Sequence, residues 1–213
     1  MSVTLSDYIT ECRRLLHDAN GNFWVNSELT DYINDARERL VRDTGCLRTI
    51  QSFNTVANQE TYNFSDLTTH ANDTVDILNI NLYWGNTRVP LRYLAWTDFN
   101  SQLRFWQNYI GRPIAFSLYG PRKIYLGPVP DEVYYCEVDT VILPTDLVNA
   151  SDEDDIPYPW TTPVAYYACY RAKYKEQSFG EAEIFKQEYL KQTQSVLTST
   201  YTRRMPTPYS QAF

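Results

Sequence analysis

The stretch 120–147, GPRKIYLGPVPDEVYYCEVDTVILPTDL, constrains this chain more than any other. Strand patterns lie on either side of a proline-rich corner. Ile124 and Leu126 fall on one strand face and Tyr125 on the other. Tyr134, Cys136 and Val138 alternate with Tyr135, Glu137 and Asp139, the period of a half-buried strand. Between them Pro128 and Pro130 have no N–H to donate, so Gly127-Pro128-Val129-Pro130 is a turn or an edge. The expectation is a hairpin that exits through Leu143-Pro144 into an acidic loop.

Around this stretch the hydrophobic period changes twice. Residues 4–16 read as a helix capped by Thr4 with Asp7 three positions on, its stripe being Leu5, Ile9, Cys12, Leu15 and Leu16. The cluster 18–22, DANGN, ends it. A second helix is expected over 27–44, with Ser27 as N-cap, Leu29, Ile33, Ala36 and Leu40 as its stripe, and Gly45 as its stop. Asp31, Asp35, Arg39 and Arg42 occupy its other face. From 47 to 143 the period is that of strands: 47–56, 61–64, 75–84, 88–94, 113–119, 123–126 and 133–143, with Leu78, Ile80, Leu82 and Trp84 alternating with Ile77, Asn79, Asn81 and Tyr83 in the third. Gly85-Asn86 and Gly120-Pro121 are the turn signals between them. The run 96–106 breaks the pattern as a short helix, with Thr97 as cap and Phe99, Leu103 and Trp106 at helical spacing.

Helices return at the C-terminal end. Thr162-Pro163 reads as N-cap and first-turn proline of a helix that reaches about 177, with Val164, Tyr167, Ala168 and Arg171 on one side. Ser178 and Glu181 match a capping box for a last helix over 179–200, whose stripe is Ala182, Phe185, Tyr189, Val196 and Leu197. After it, Pro206 and Pro208 exclude helix. Each helical pair lacks a partner for its apolar stripes. The fold class expected is therefore α+β: a four-helix core from the N- and C-terminal pairs, with an inserted antiparallel β-sandwich or small barrel. The boundaries expected are 1–46 and 157–201 for the helices, 47–156 for the β-rich module and 202–213 for an extended C-terminal arm.

Charge separates along the chain. The 213 residues carry a formal net charge of −7, which argues against a nucleic-acid binder. Between 131 and 155 lie nine acidic residues and no Lys or Arg, and between 84 and 123 six basic residues and one acid. Such segments either pair copies head to tail or neutralise each other within one chain. The inter-subunit candidates are Arg88, Arg92, Arg104, Arg112 and Arg122 on one side and Asp152, Glu153, Asp154 and Asp155 on the other. No apolar run approaches the ~20 residues of a membrane span, and no basic start followed by an apolar core marks a secretory signal. The four cysteines, Cys12, Cys46, Cys136 and Cys169, are widely spaced and read as free thiols.

Little in the sequence points to catalysis. His17 and His70 stand apart from any triad or ligand partner, and no nucleophile elbow, Walker loop, dinucleotide fingerprint or zinc-protease motif is present. No catalytic residue, metal site or cofactor is expected. The run 152–155 reads as a solvated loop, a weak divalent-ion site or an inter-subunit contact. Trp24, Trp84, Trp96, Trp106 and Trp160 read as core residues or as a sugar-stacking platform. That platform underlies an alternative in which the β-sandwich binds carbohydrate and the helices oligomerise.

The strand, PxPD, strand and Leu-Pro-x-x-Leu order of 123–147, and the stretch 22–45, NFWVNSELTDYINDARERLVRDTG, resemble the head-to-tail adaptor proteins of tailed bacteriophages, in particular short-tailed ones of the tail-tubular-protein-A type. The resemblance spans roughly 5–197. It implies a non-enzymatic structural protein of the virion, a twelve-fold ring of copies at the head–tail junction, between the portal protein and the tail tube or nozzle protein. Double-stranded DNA would pass through its lumen during ejection. The arm reads either as a frayed terminus or, from its Arg, Pro and aromatic content, as a docking element that would reach the portal through Arg203, Arg204, Pro206, Pro208, Tyr209 and Phe213.

Overall fold

Thr4 closes the N-terminus of the first helix: its hydroxyl accepts from the Asp7 N–H, and the Asp7 carboxylate accepts from the Thr4 N–H at 2.9 Å. This geometry comes from a computed structural model, which describes residues 2–70, 72–106 and 109–200. The chain is mixed α+β, with five α-helices and two four-stranded sheets among the described residues. It divides into a helical unit, Met1–Leu47 with Pro144–Phe213, and a β unit, Arg48–Leu143.

The helical unit holds α1 (Leu5–Leu15), α2 (Asn26–Thr44), α4 (Val164–Lys175) and α5 (Phe179–Ser199). Gly45 ends α2 in the left-handed conformation, φ 60°, as expected of a glycine there. The N-caps read for α2, α4 and α5 do not form. α2 begins one residue before Ser27, with Val25 at its N-cap and no side-chain bond. Pro163, not Thr162, occupies the N-cap of α4. Ser178 makes no capping bond at α5, and Glu181 pairs with Lys173 at 2.9 Å instead of turning back to the backbone. An ion pair to the neighbouring helix has displaced the local motif.

Helix α4 packs on α1, α2 and α5. It does so through small side chains: Ala165, Ala168, Cys169 and Ala172 are buried, whereas Tyr167 is half-buried and Arg171 exposed. The expected stripe was thus rotated. Several close neighbours require a backbone-hugging face, and the tyrosines are pushed to the flanks. There Tyr189, Tyr167, Tyr170, Tyr174 and Phe179 form a chain of ring contacts at 5.1–5.9 Å.

The β unit holds β1 (Arg48–Asn54), β2 (Thr61–Asn63), β3 (Thr74–Trp84), β4 (Thr87–Pro90), β5 (Arg92–Tyr93), β6 (Ala115–Leu118), β7 (Lys123–Gly127) and β8 (Tyr135–Ile142), with α3 (Trp96–Trp106) between β5 and β6. The sheets have the orders β1-β8-β3-β4 and β2-β7-β6-β5. Phe53, Ile80, Leu82, Cys136 and Val138 from the first join Tyr62, Phe116, Ile124 and Leu126 from the second in one buried cluster. Burial pushes the Cys136 thiol up to about 12.

Three expectations for this unit change. The corner at 127–130 is no hairpin: β7 pairs with β2 and β6, and β8 with β1 and β3, so the proline segment carries the chain from one sheet to the other. The run 88–94 is two strands, because the chain changes sheets at Leu91, whose N–H donates to Ile80 O before Arg92 donates to Ile114 O. Pro90 ends β4 where no donor is needed. In β3, register shifts at Thr74/Asp76 and Ile77/Asn79 break the alternation, so Ile77 and Ile80 both face the core and Leu78 does not. The turn at Gly85-Asn86 is as expected, pairing Trp84 with Thr87.

Candidate functional site

Leu29, Ile33, Ala36 and Leu40 make the buried stripe of α2, and Arg37 sits on that stripe, four residues after Ile33. Its guanidinium reaches Asp154 Oδ1 from Nε at 3.0 Å and from Nη2 at 2.8 Å. Nη1 donates to Asn34 Oδ1 at 3.1 Å and to Thr145 O at 2.7 Å. The other Asp154 oxygen accepts from the Tyr8 hydroxyl of α1 at 2.5 Å. The two charged side chains are 1% and 0% exposed. Burial, then the Asp154 carboxylate, drive the Tyr8 phenol far above its ordinary value.

This network fixes the segment 144–156 on α1 and α2. Asn34 exchanges two hydrogen bonds with the Leu147 backbone, both 3.0 Å. Leu5 N donates to Asp152 O and Asp154 N to Val3 O. Asp152 closes the tip by accepting from Val148 N at 2.9 Å and Asn149 N at 2.7 Å, which hold its carboxyl below the usual value. Asp155 accepts from Thr145 N at 3.2 Å. The segment expected in the β module therefore folds with the helices.

The run 152–155 is accordingly not a uniform solvated cluster. Asp154 is a buried structural anion and is withdrawn as an inter-subunit contact, because its carboxylate is fully engaged. Asp152 and Asp155 brace the loop, and Glu153 remains exposed. Among the described residues no group of three or more His, Cys, Asp or Glu is placed to hold a metal ion.

The basic candidates also separate. Arg88 pairs with Glu137 at 3.0 Å, joining the basic and acidic segments inside one chain. Arg122 donates to Asn72 O at 2.8 Å. Arg112 lies over the Trp84 ring, 4.4 Å from its centroid, and Arg92 is exposed. The side chain of Arg104, and the arm residues Arg203, Arg204, Pro206, Pro208, Tyr209 and Phe213, lie outside the described residues.

The four tryptophans with described side chains form no platform, and the side chain of Trp106 lies outside the described residues. Trp24 and Trp160 are buried in the helical unit, and Trp84 and Trp96 belong to the β unit. Trp96 stacks on Tyr119 at 4.1 Å and on Phe99 at 6.0 Å, so its ring is occupied by α3's own packing. Arg37 was the main residue that the sequence reading passed over. The signal was a lone cation on an apolar stripe, a position that burial permits only with a counter-charge.

Taken together, the chain has a braced helical unit, a two-sheet unit and no constellation for chemistry among the described residues. The family model described as SU10 adaptor protein matches residues 3–211. The chain belongs to the SU10 adaptor protein family. The match covers nearly the whole sequence, the stretches 22–45 and 123–147 included. The family is one of structural phage adaptors rather than enzymes, and this adaptor is a virion component. A comparison with curated proteins gives no match. No helix among the described residues is long and apolar enough to cross a membrane.

Proposed function

We propose that this adaptor forms a ring, twelve-fold, at the head–tail junction of a short-tailed phage, of the tail-tubular-protein-A type, between the portal protein and the tail tube or nozzle. The family match over residues 3–211 carries the reading. The helical unit forms a four-helix core that builds the wall, and the two sheets of the β unit pack as a sandwich. DNA passes through the lumen during ejection without sequence-specific binding, and the net charge of −7 disfavours adhesion of phosphates. The arm 202–213 docks on the portal. Large apolar side chains exposed on the helical unit, among them Ile184 at 69% and Phe179 at 58%, support a protein that buries further surface on assembly.

Electron microscopy of virions with the protein tagged at its N-terminus tests this. The expected image is a tagged twelve-fold ring below the portal. Label in the capsid shell or at the distal tail overturns it.

A further inference from the structure

The segment 109–114 presents a ridge with an unusual composition. Ile110 bridges Val129, Gly111 N donates to Val129 O at 2.9 Å, and Ile114 N donates to Gly127 O at 2.9 Å. The chain bends at Gly111 between these anchors. Pro113 is buried, while Ile110 and Ile114 are 55% and 54% exposed. Arg112, between the two isoleucines in sequence, is half-buried. Its guanidinium lies over Trp84, itself 56% exposed. Arg92, whose N–H donates to Ile114 O, flanks the ridge. Among the described residues no carboxylate forms an ion pair with Arg92 or Arg112. The ridge is apolar and cationic, rich in the residue types that anchor interfaces.

The helical unit carries the complementary shape. At the tip of 146–153, Val148 is 74% exposed, and Asp146 and Glu153 are exposed on either side of it. No cation among the described residues pairs with either acid. Asp152 and the buried Arg37–Asp154 pair hold this tip in place, so docking it costs little ordering entropy.

We infer that the 146–153 tip of one copy docks on the Ile110–Arg112–Ile114 ridge of a second copy. Val148 meets the isoleucines and Trp84, and Asp146 and Glu153 meet Arg92 and Arg112. Different patches meet, so the contact is head-to-tail and repeats around a closed ring. The inference rests on the ring reading and specifies its interface.

Full-length Val148→Cys and Ile114→Cys chains, both in a Cys46→Ser background and checked for native circular dichroism, are mixed and oxidised with copper phenanthroline. The expected result is a mixed disulfide dimer in excess of that from Val148→Cys with Asp73→Cys, an exposed β-unit position at the end of β3 opposite Trp84. Adding Arg112→Glu to the Ile114→Cys chain lowers the yield roughly 3- to 10-fold, and Glu153→Arg on the Val148→Cys chain restores it. A yield no higher than the Asp73→Cys control, or one indifferent to both charge reversals, overturns the contact. Imaging of virions reads the ring separately: a ring without the cross-link removes this interface alone, and no ring removes the parent reading.

Discussion

Arg37 and Asp154 stand 117 positions apart, and the guanidinium of one donates to the carboxylate of the other at 2.8 Å with both side chains buried. A buried pair of this kind contributes little over a well-packed apolar pair, but breaking it leaves an uncompensated charge. Its effect is to specify where 144–156 lies on α1 and α2.

Asp154→Ala should therefore destabilise the helical unit by about 3–5 kcal/mol, and Arg37→Met with Asp154→Leu should recover most of that loss. Urea unfolding followed by circular dichroism at a helical wavelength measures both. A single variant within about 0.5 kcal/mol of the parent would show that the pair does not brace the segment.

Acid should loosen the same unit. The carboxyls of Asp7 and Asp152 are held below their ordinary value of 3.8 by the hydrogen bonds of Thr4 and of Asn149 and Val148. Depressed folded values mean that the unfolded state binds protons first. The stabilisation is complete above 3.8 and is lost as pH falls through the lower folded values. Urea midpoints measured from pH 6 down to pH 2 should fall below about pH 4, less steeply in Asp152→Asn.

Two glycines should respond in opposite directions. At Gly21, φ +66°, an added Cβ would lie 2.7 Å from Arg13 Nη1. That guanidinium also donates to Trp24 O at 2.9 Å and Asn26 Oδ1 at 2.6 Å, so it has little freedom to withdraw. Gly21→Ala should cost more than about 1 kcal/mol. Gly180, in the first turn of α5, has open space around it, and Gly180→Ala should stabilise by about 0.4–1 kcal/mol. Thermal unfolding of the two variants compares them directly.

Removal of 202–213 should leave the melting temperature unchanged and abolish attachment to portal rings, scored by co-sedimentation of purified chain and portal. Undiminished binding would end the docking role of the arm.

Much of the secondary structure was legible because it is local. Thr4 with Asp7, Gly45 after α2, Gly85-Asn86 between β3 and β4, and the alternation through 134–139 each carry their own instruction in a few residues. Composition likewise settled the broad class. What failed was wherever a distant group competed with a local motif. Glu181 left its capping box for Lys173, and two bulges in β3 reversed which of Ile77 and Leu78 is buried. The PVP corner looked like a hairpin because proline says only that a strand ends, not which sheet the next strand joins. The same holds for the acidic run: four adjacent acids read alike in sequence, and only the approach of Arg37 and Tyr8 makes Asp154 a buried anion while Glu153 faces water. Short-range sterics and hydrophobic period reside in the sequence. Strand partners and the pairing of buried charge depend on contacts between residues distant in sequence, as Arg48 is from Val141 and Arg37 from Asp154, which exist only once the chain has folded.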